Sequence, residues 1–356
     1  MKLTRYLIVQ ILIAIGVALA GLTLLFSFFE LLAELGSVSA GSYSLTQATV
    51  FIGLQLPTRI HEVMPIATLL GGLFAFARLA QTSEYTVMRS SAWSPRHSIQ
   101  ALALIGLLLG FVTTLIGEFV LPVSERMAER VKNQGAQRVQ TQTFRSGLWA
   151  KDGQTFLNVR QILPDATLRG VRLYSVNDQT QLLSITEAAR GHWDTQGAWR
   201  LEDGRSLHFT PQGPQLTPFV TQPWPSKVGP DLLTMLMVKP EHMSIRALYE
   251  YIHHLHANRQ QASRYELALW KKLIYPLSPM VMLLISLPFA YYQARSGKIG
   301  GKLMLGLGIG LAFHLIGKAS GDLALLKDGT PAMAASLPLL AFGLAGLIAL
   351  FRVERT

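Results

Sequence analysis

"SIQALALIGLLLGFVTTLIGEFVLPVSERMAERVKNQGAQ", Ser98–Gln137, decides how this chain is built. Its first 20 residues, Ser98–Gly117, carry no charge. A helix rises 1.5 Å per residue, so that run is long enough to cross the ~30 Å hydrocarbon core of a bilayer. From Glu118 onward charges arrive every few residues, and no comparable apolar run returns until Leu273. A membrane span therefore ends where a large polar insert begins.

Two apolar runs precede this stretch and three follow the insert. Leu7–Phe29 holds 23 residues without a charge. Val38-Ser39-Ala40 loosely resembles a cleavage site, but the run exceeds the roughly 7–15 residues of a signal-peptide core, so it reads as a first span. Val63–Ala77, extended by Ile60 and by Leu79-Ala80, is the second. Leu273–Ala294, Leu303–Gly317 and Pro331–Phe351 complete the set. The predicted fold class is membrane α-helical, six transmembrane helices, with an all-β domain inserted between helices 3 and 4. The predicted division is 1–122 for spans one to three, 123–265 for the β domain with its connecting helices, and 266–356 for spans four to six.

Composition agrees. Of 356 residues, 50% are hydrophobic and 15% charged, against about 25% charged in soluble domains. The net charge of +11 reads as topology and anionic-lipid contact, not nucleic-acid binding. Basic residues fix the orientation. Lys2, Arg5, Arg78, Arg89, Arg96, Arg295, Lys298, Lys302, Arg352 and Arg355 flank the spans on one side, and Lys327 stands alone in the short loops of the other. By the positive-inside rule both termini are cytoplasmic and the insert is periplasmic. There is no cysteine, which excludes disulfides, thiolate metal sites and thiol nucleophiles.

The insert reads as β. Lys151-Asp152-Gly153, Asn177-Asp178 and Asp203-Gly204 each sit between short alternating runs, as hairpin turns do. Strands at such spacing predict a sandwich or jelly roll. Leu157, Val159, Leu173, Leu183 and Phe209 are the expected inward apolar residues, either lining a groove or filling an ordinary core.

Between spans two and three lies "LAQTSEYTVMRSSAWSP", Leu79–Pro95. Thr82 or Ser83 is a candidate N-cap and Glu84 suits a helix start. A short helix over about 82–92 would present Glu84, Tyr85, Met88, Arg89 and Trp93. It would lie on lipid or dock in a groove of a protein partner. The negative inner leaflet disfavours the carboxylate, which favours the groove.

No enzyme chemistry assembles. The chain lacks GxxxxGK[ST], and Gly306-Leu-Gly308-Ile-Gly310 reads as close helix packing. His253 and His256 share a helix face without an acidic ligand, so no metal site is predicted. Asp152, Glu187, His192 and Asp194 form no acid–base pair.

Longer segments carry a resemblance. "RYLIVQILIAIGVALAGLTLLFSFFELL", "LPTRIHEVMPIATLLGGLFAFARLAQTSEYTVMRSS", "GLWAKDG" and "ASRYELALWKKLIYPLSPMVMLLISLPFAYY" resemble the lipopolysaccharide export permeases of the LptF/LptG family, and the last two resemble its LptG members more. The resemblance covers nearly the whole chain and implies a jelly-roll-like periplasmic domain and residence in the inner membrane of a Gram-negative bacterium. It implies an LptF-like permease partner, two LptB-like ATPase subunits that bind ATP and Mg, an LptC-like bitopic protein and an LptA-like periplasmic bridge. It makes the segment around Glu84 a coupling helix for the ATPase. This chain itself would hold no cofactor. Its rival readings are an exporter of another amphiphile, a membrane scaffold and a membrane-anchored enzyme.

Lipopolysaccharide carries phosphates, which call for cations at the outer rim. The candidates are Arg59, Arg126, Arg130, Lys132, Lys271, Lys272 and Lys318, each alternatively a snorkelling interfacial cation or, for Lys318, a partner of Asp322. Family members also use lysines at the outer end of span one. This sequence departs there, with Glu30 and Glu34 as its only charges. Either acid would pair with a rim cation or face the partner subunit.

Overall fold

The structure is a computed structural model. It describes residues 2–39, 44–90, 95–135, 147–163, 167–179, 181–194, 197–226, 228–230, 233, 240–290, 299–327 and 329–355. Six helical segments within it are long and apolar enough to cross a membrane. They are α1 (Lys2–Ser39), α2 (Leu45–Gln81), α4 (Pro95–Leu115) continued by α5 (Leu121–Gly135), α7 (Ser263–Ile274) continued by α8 (Ser278–Ser286), α9 (Ile299–Leu326) and α10 (Pro331–Arg355), with the short α3 (Glu84–Ser90) after α2 and α6 (Ile245–Ala257) before α7.

The second span is much longer than its apolar run. Ser44 and Gln47 cap it reciprocally, with Gln47 N donating to Ser44 Oγ at 3.2 Å and Ser44 N to Gln47 Oε1 at 2.9 Å. Its polar first half is tolerated because partners meet it inside the protein. Gln55 Nε2 and Thr58 Oγ1 donate to the buried carboxylate of Glu125 at 3.2 and 2.7 Å. An apolar run therefore understates the length of such a helix, since its polar groups answer one another rather than water.

The third span passes through a π-helical turn, Ile116–Val120, straight into α5. The chain forms two compact units, one of 1–135, 240–248 and 263–356, the other of 136–239 and 249–262. The expected boundary at 122/123 falls inside this continuous helix. α5 belongs to the helical unit, held by Glu125 and by fully buried Ala128.

In the second unit β1 (Leu148–Asp152), β2 (Thr155–Ile162), β3 (Leu168–Val176), β4 (Leu182–Trp193), β5 (Ala198–Thr210) and β6 (Gly213–Pro225) form one antiparallel sheet in sequence order. The all-β insert is as read, and its described strands run as a meander. The turns at Gly153 and Asn177 fall where the sequence placed them. The third does not. β5 runs unbroken through Asp203-Gly204, with Glu202 and Gly204 paired to both neighbouring strands.

Asp203 takes φ 51° and serves a crease instead of a turn. Along β5 the buried positions are 199 and 201, then 206; along β3 they are 168, then 171 and 173; along β2 the buried apolar positions are 157 and 159, then 162, with Asn158 also buried. The inward set changes parity on neighbouring strands at one level, where Gly170 also has positive φ, 63°. Asp and Gly are the residues that tolerate this backbone. A β-carbon on Gly204 would meet Glu187 O at 2.4 Å, so the strands leave no room for one.

Leu157, Val159 and Leu173 are buried in the core of the sheet as expected, but Leu183 and Phe209 stand 47% and 44% exposed. Trp199 anchors this core. It is fully buried, donates from Nε1 to Val228 O at 2.7 Å, and meets Trp193 edge-on at 5.1 Å. Trp199→Ala is expected to cost the β unit about 3–5 kcal/mol, read as an early loss of the aromatic near-UV signal on heating.

Candidate functional site

The helical unit contains a cavity of about 710 Å³ between α1, α2 and the start of α9. Small residues set its walls. A β-carbon at Gly71 would lie 2.4 Å from Ile15 Cα, so α1 and α2 touch backbone to side. Gly306 and Gly310 face Leu73 and Ile66 of α2, which is the packing role read from their spacing. The lining is apolar over most of its length, with Ile13, Val17, Leu22, Phe74, Leu303 and Leu307. Polar groups gather at the end bearing Arg5 and Arg78, where Tyr6, Gln10, Arg78 and Glu84 face it. Such a space suits acyl chains and excludes most polar solutes.

The short helix stands at that polar end. Thr82 closes α2, its Oγ1 donating to Arg78 O at 3.1 Å, rather than opening α3. Ser83 takes φ 57° and turns the chain sharply. Glu84 then starts α3 and accepts a hydrogen bond from Tyr6 Oη at 2.7 Å. Met88, expected to face a partner, is 4% exposed and packs in the core with Leu7, Ile11, Leu79 and Leu102. Helical spacing alone could not say which side of so short a helix is inward. Val87, 61% exposed, is the outward apolar residue. Tyr85 and Arg89 lie on α3, but their side chains, and Trp93, fall outside the described residues. Tyr6 was missed by sequence reasoning, since 78 positions separate it from Glu84 and no local pattern links them.

At the opposite end the rim cations divide. Arg59 grips Glu30 through Nη2 and Nε at 2.9 and 3.0 Å and Glu62 through Nη1 at 2.7 Å. Lys132 meets Glu34 at 2.7 Å and lies over the Phe51 ring. Lys272 sits 3.2 Å from Glu118 and donates to Met243 O. These three are taken up by internal partners, and both acids of span one pair with rim cations. Arg126 is exposed, its Nε donating to Pro122 O at 2.8 Å, and Arg130 is exposed on the same helix. Lys318 is exposed and makes no ion pair with Asp322. Lys271 reaches α9, where a β-carbon on Gly321, one turn after Lys318, would lie 2.7 Å from its Nζ.

In the second unit Arg172 and Arg205 bracket Glu187 at 3.0 and 2.8 Å. The Arg205 hydrogen bond, then the two guanidinium charges, hold that carboxyl below its ordinary range. Among the described residues no group of three or more His, Asp or Glu is placed to hold a metal.

Six spans, a lipid-scale cavity between three of them and a β insert define a multi-pass membrane permease. Residues 5–352 match the family model for the lipopolysaccharide export system permease LptF/LptG, and the chain belongs to that family. It is 30% identical over 352 residues to the lipopolysaccharide export system permease protein LptG of Escherichia coli strain K12, covering 98% of each chain. It is 30% identical over 336 residues to the protein of the same name from Haemophilus influenzae, covering 94% of each. With its family and its spans, it is a multi-pass inner-membrane protein.

Proposed function

We propose that this chain is the permease subunit of an ABC exporter that extracts lipopolysaccharide from the inner membrane and passes it to a periplasmic β-jelly-roll bridge. The observation that carries the reading is the apolar cavity with polar groups confined to one end. Each methylene withdrawn from water is worth about 0.8 kcal/mol, so a lipid with several acyl chains leaves the bilayer only into an apolar enclosure. Two of the three helices that line the cavity, α1 and α9, are little covered by this chain's own atoms. The best windows of α1 and α9 are 28% and 11% buried, against 78% for α2. An LptF-like second permease would cover those faces and complete the enclosure.

In this reading both termini and α3 are cytoplasmic and the β unit is periplasmic. Two LptB-like subunits bind ATP and Mg and drive the cycle through α3, where Glu84 and Val87 are presented. An LptC-like bitopic protein and an LptA-like bridge accept the lipid. Lys271, Lys318, Arg126 and Arg130, which lack strong internal ion pairs, are the phosphate contacts. An exporter of another amphiphile is the second reading, supported by the same cavity. A dephosphorylated lipid handled as well as the phosphorylated one would favour it.

The test is co-purification from native membranes. Glu84→Arg is expected to lose the ATPase and stop lipopolysaccharide release while the chain still inserts. Full assembly and normal export by that variant would remove Glu84 from the coupling role.

A further inference from the structure

We propose that the Tyr6–Glu84 hydrogen bond makes α1 the lever that carries motion from the coupling helix to the cavity wall, with Tyr6 as its positioning residue. The inference rests on the permease reading above and adds a route and a residue to it.

Three observations converge. First, α3 is joined to α2 through a sharp turn at Thr82-Ser83, with Ser83 in the left-handed region. A push on α3 is poorly transmitted along the chain through such a joint. Second, α3 is fastened sideways to α1. Tyr6 Oη donates to Glu84 Oε2 at 2.7 Å, and Met88, one turn on, packs in the core that holds Leu7 and Ile11. A charged acceptor makes this one of the stronger classes of hydrogen bond. Third, the fastened helix is the wall. Tyr6, Ile13, Val17 and Leu22 lie on the cavity face of α1, which runs for 38 residues without a proline. From Tyr6 to Leu22 is about 24 Å of helix at 1.5 Å per residue, so a tilt at Tyr6 is delivered along the whole cavity. Tyr6 acts through Glu84, whose second carboxylate oxygen is left for a partner.

The test uses the complete exporter reconstituted with lipopolysaccharide, and reads lipid released per ATP hydrolysed. Tyr6→Phe keeps the ring and removes only the donor. Its coupling ratio is expected to fall about tenfold, the low end for a hydrogen bond to a charged group. Glu84→Gln keeps an acceptor for Tyr6 and is expected to retain most of the ratio in complexes that assemble. Tyr6→Phe added to Glu84→Ala is expected to lower the ratio no further than Glu84→Ala alone, as two ends of one link must. A Tyr6→Phe ratio equal to the parent, or additive losses in the double variant, would overturn the lever. A parent complex that hydrolyses ATP but never releases lipopolysaccharide would instead overturn the permease reading.

Discussion

Gly71→Leu is expected to leave almost no folded protein in the membrane. A β-carbon at this position lies 2.4 Å from Ile15 Cα and 2.5 Å from Ile15 N. These are backbone atoms, so no rotamer change can make room, and α1 must leave α2. Overpacking a core that can yield costs about 1–3 kcal/mol; here the yielding part is a whole span. Losing it also exposes Phe76 and Leu79 of α2, which α1 helps bury. Gly53→Leu on the same helix is the control, because nothing lies within 4 Å of its added carbon. The measurement is membrane yield and detergent melting of the two variants. Equal behaviour would mean that α1 and α2 do not pack this closely.

The same glycine shows how far the sequence was legible. Span count, the place of the insert and its β character follow from uninterrupted apolar runs and turn dipeptides, which are local signals. Helix ends within α2 were not legible. Gln55, Thr58 and Arg59 look like solvent-facing polarity until Glu125, some 70 positions away, and Glu30 are found opposite them. Asp203-Gly204 was misread because its chemistry records a positive φ, not what the backbone does with it. At the rim, charge identified the cations, and only the fold sorted those with acids of their own from Lys271 and Lys318. Glu84 was legible as the start of a short helix, whereas Tyr6 and the inward turn of Met88 required three-dimensional neighbours.

Lys272→Met is expected to loosen the start of α6 within the helical unit more than any other single charge removal. Lys272 and Glu118 are mostly buried, with 13% and 19% of their side chains exposed. Glu118 also accepts from Ile245 N with both oxygens at 3.0 Å, at the first turn of α6, where the helix dipole favours a carboxylate. Lys272 meanwhile donates to Met243 O, two residues upstream. The pair therefore fastens the start of α6 to spans three and four. Removing one partner strands a buried charge, at about 3–5 kcal/mol, and the residual exposure places the loss near the lower figure. Lys272→Met should melt early and become protease-sensitive near residues 240–248. Glu118→Gln, which still accepts from Ile245 N, should suffer less. Lys272→Met with Glu118→Leu should recover much of the loss, because two matched apolar groups leave no charge behind. If instead the single variant melts like the parent, water reaches the pair, and the start of α6 is held by packing alone.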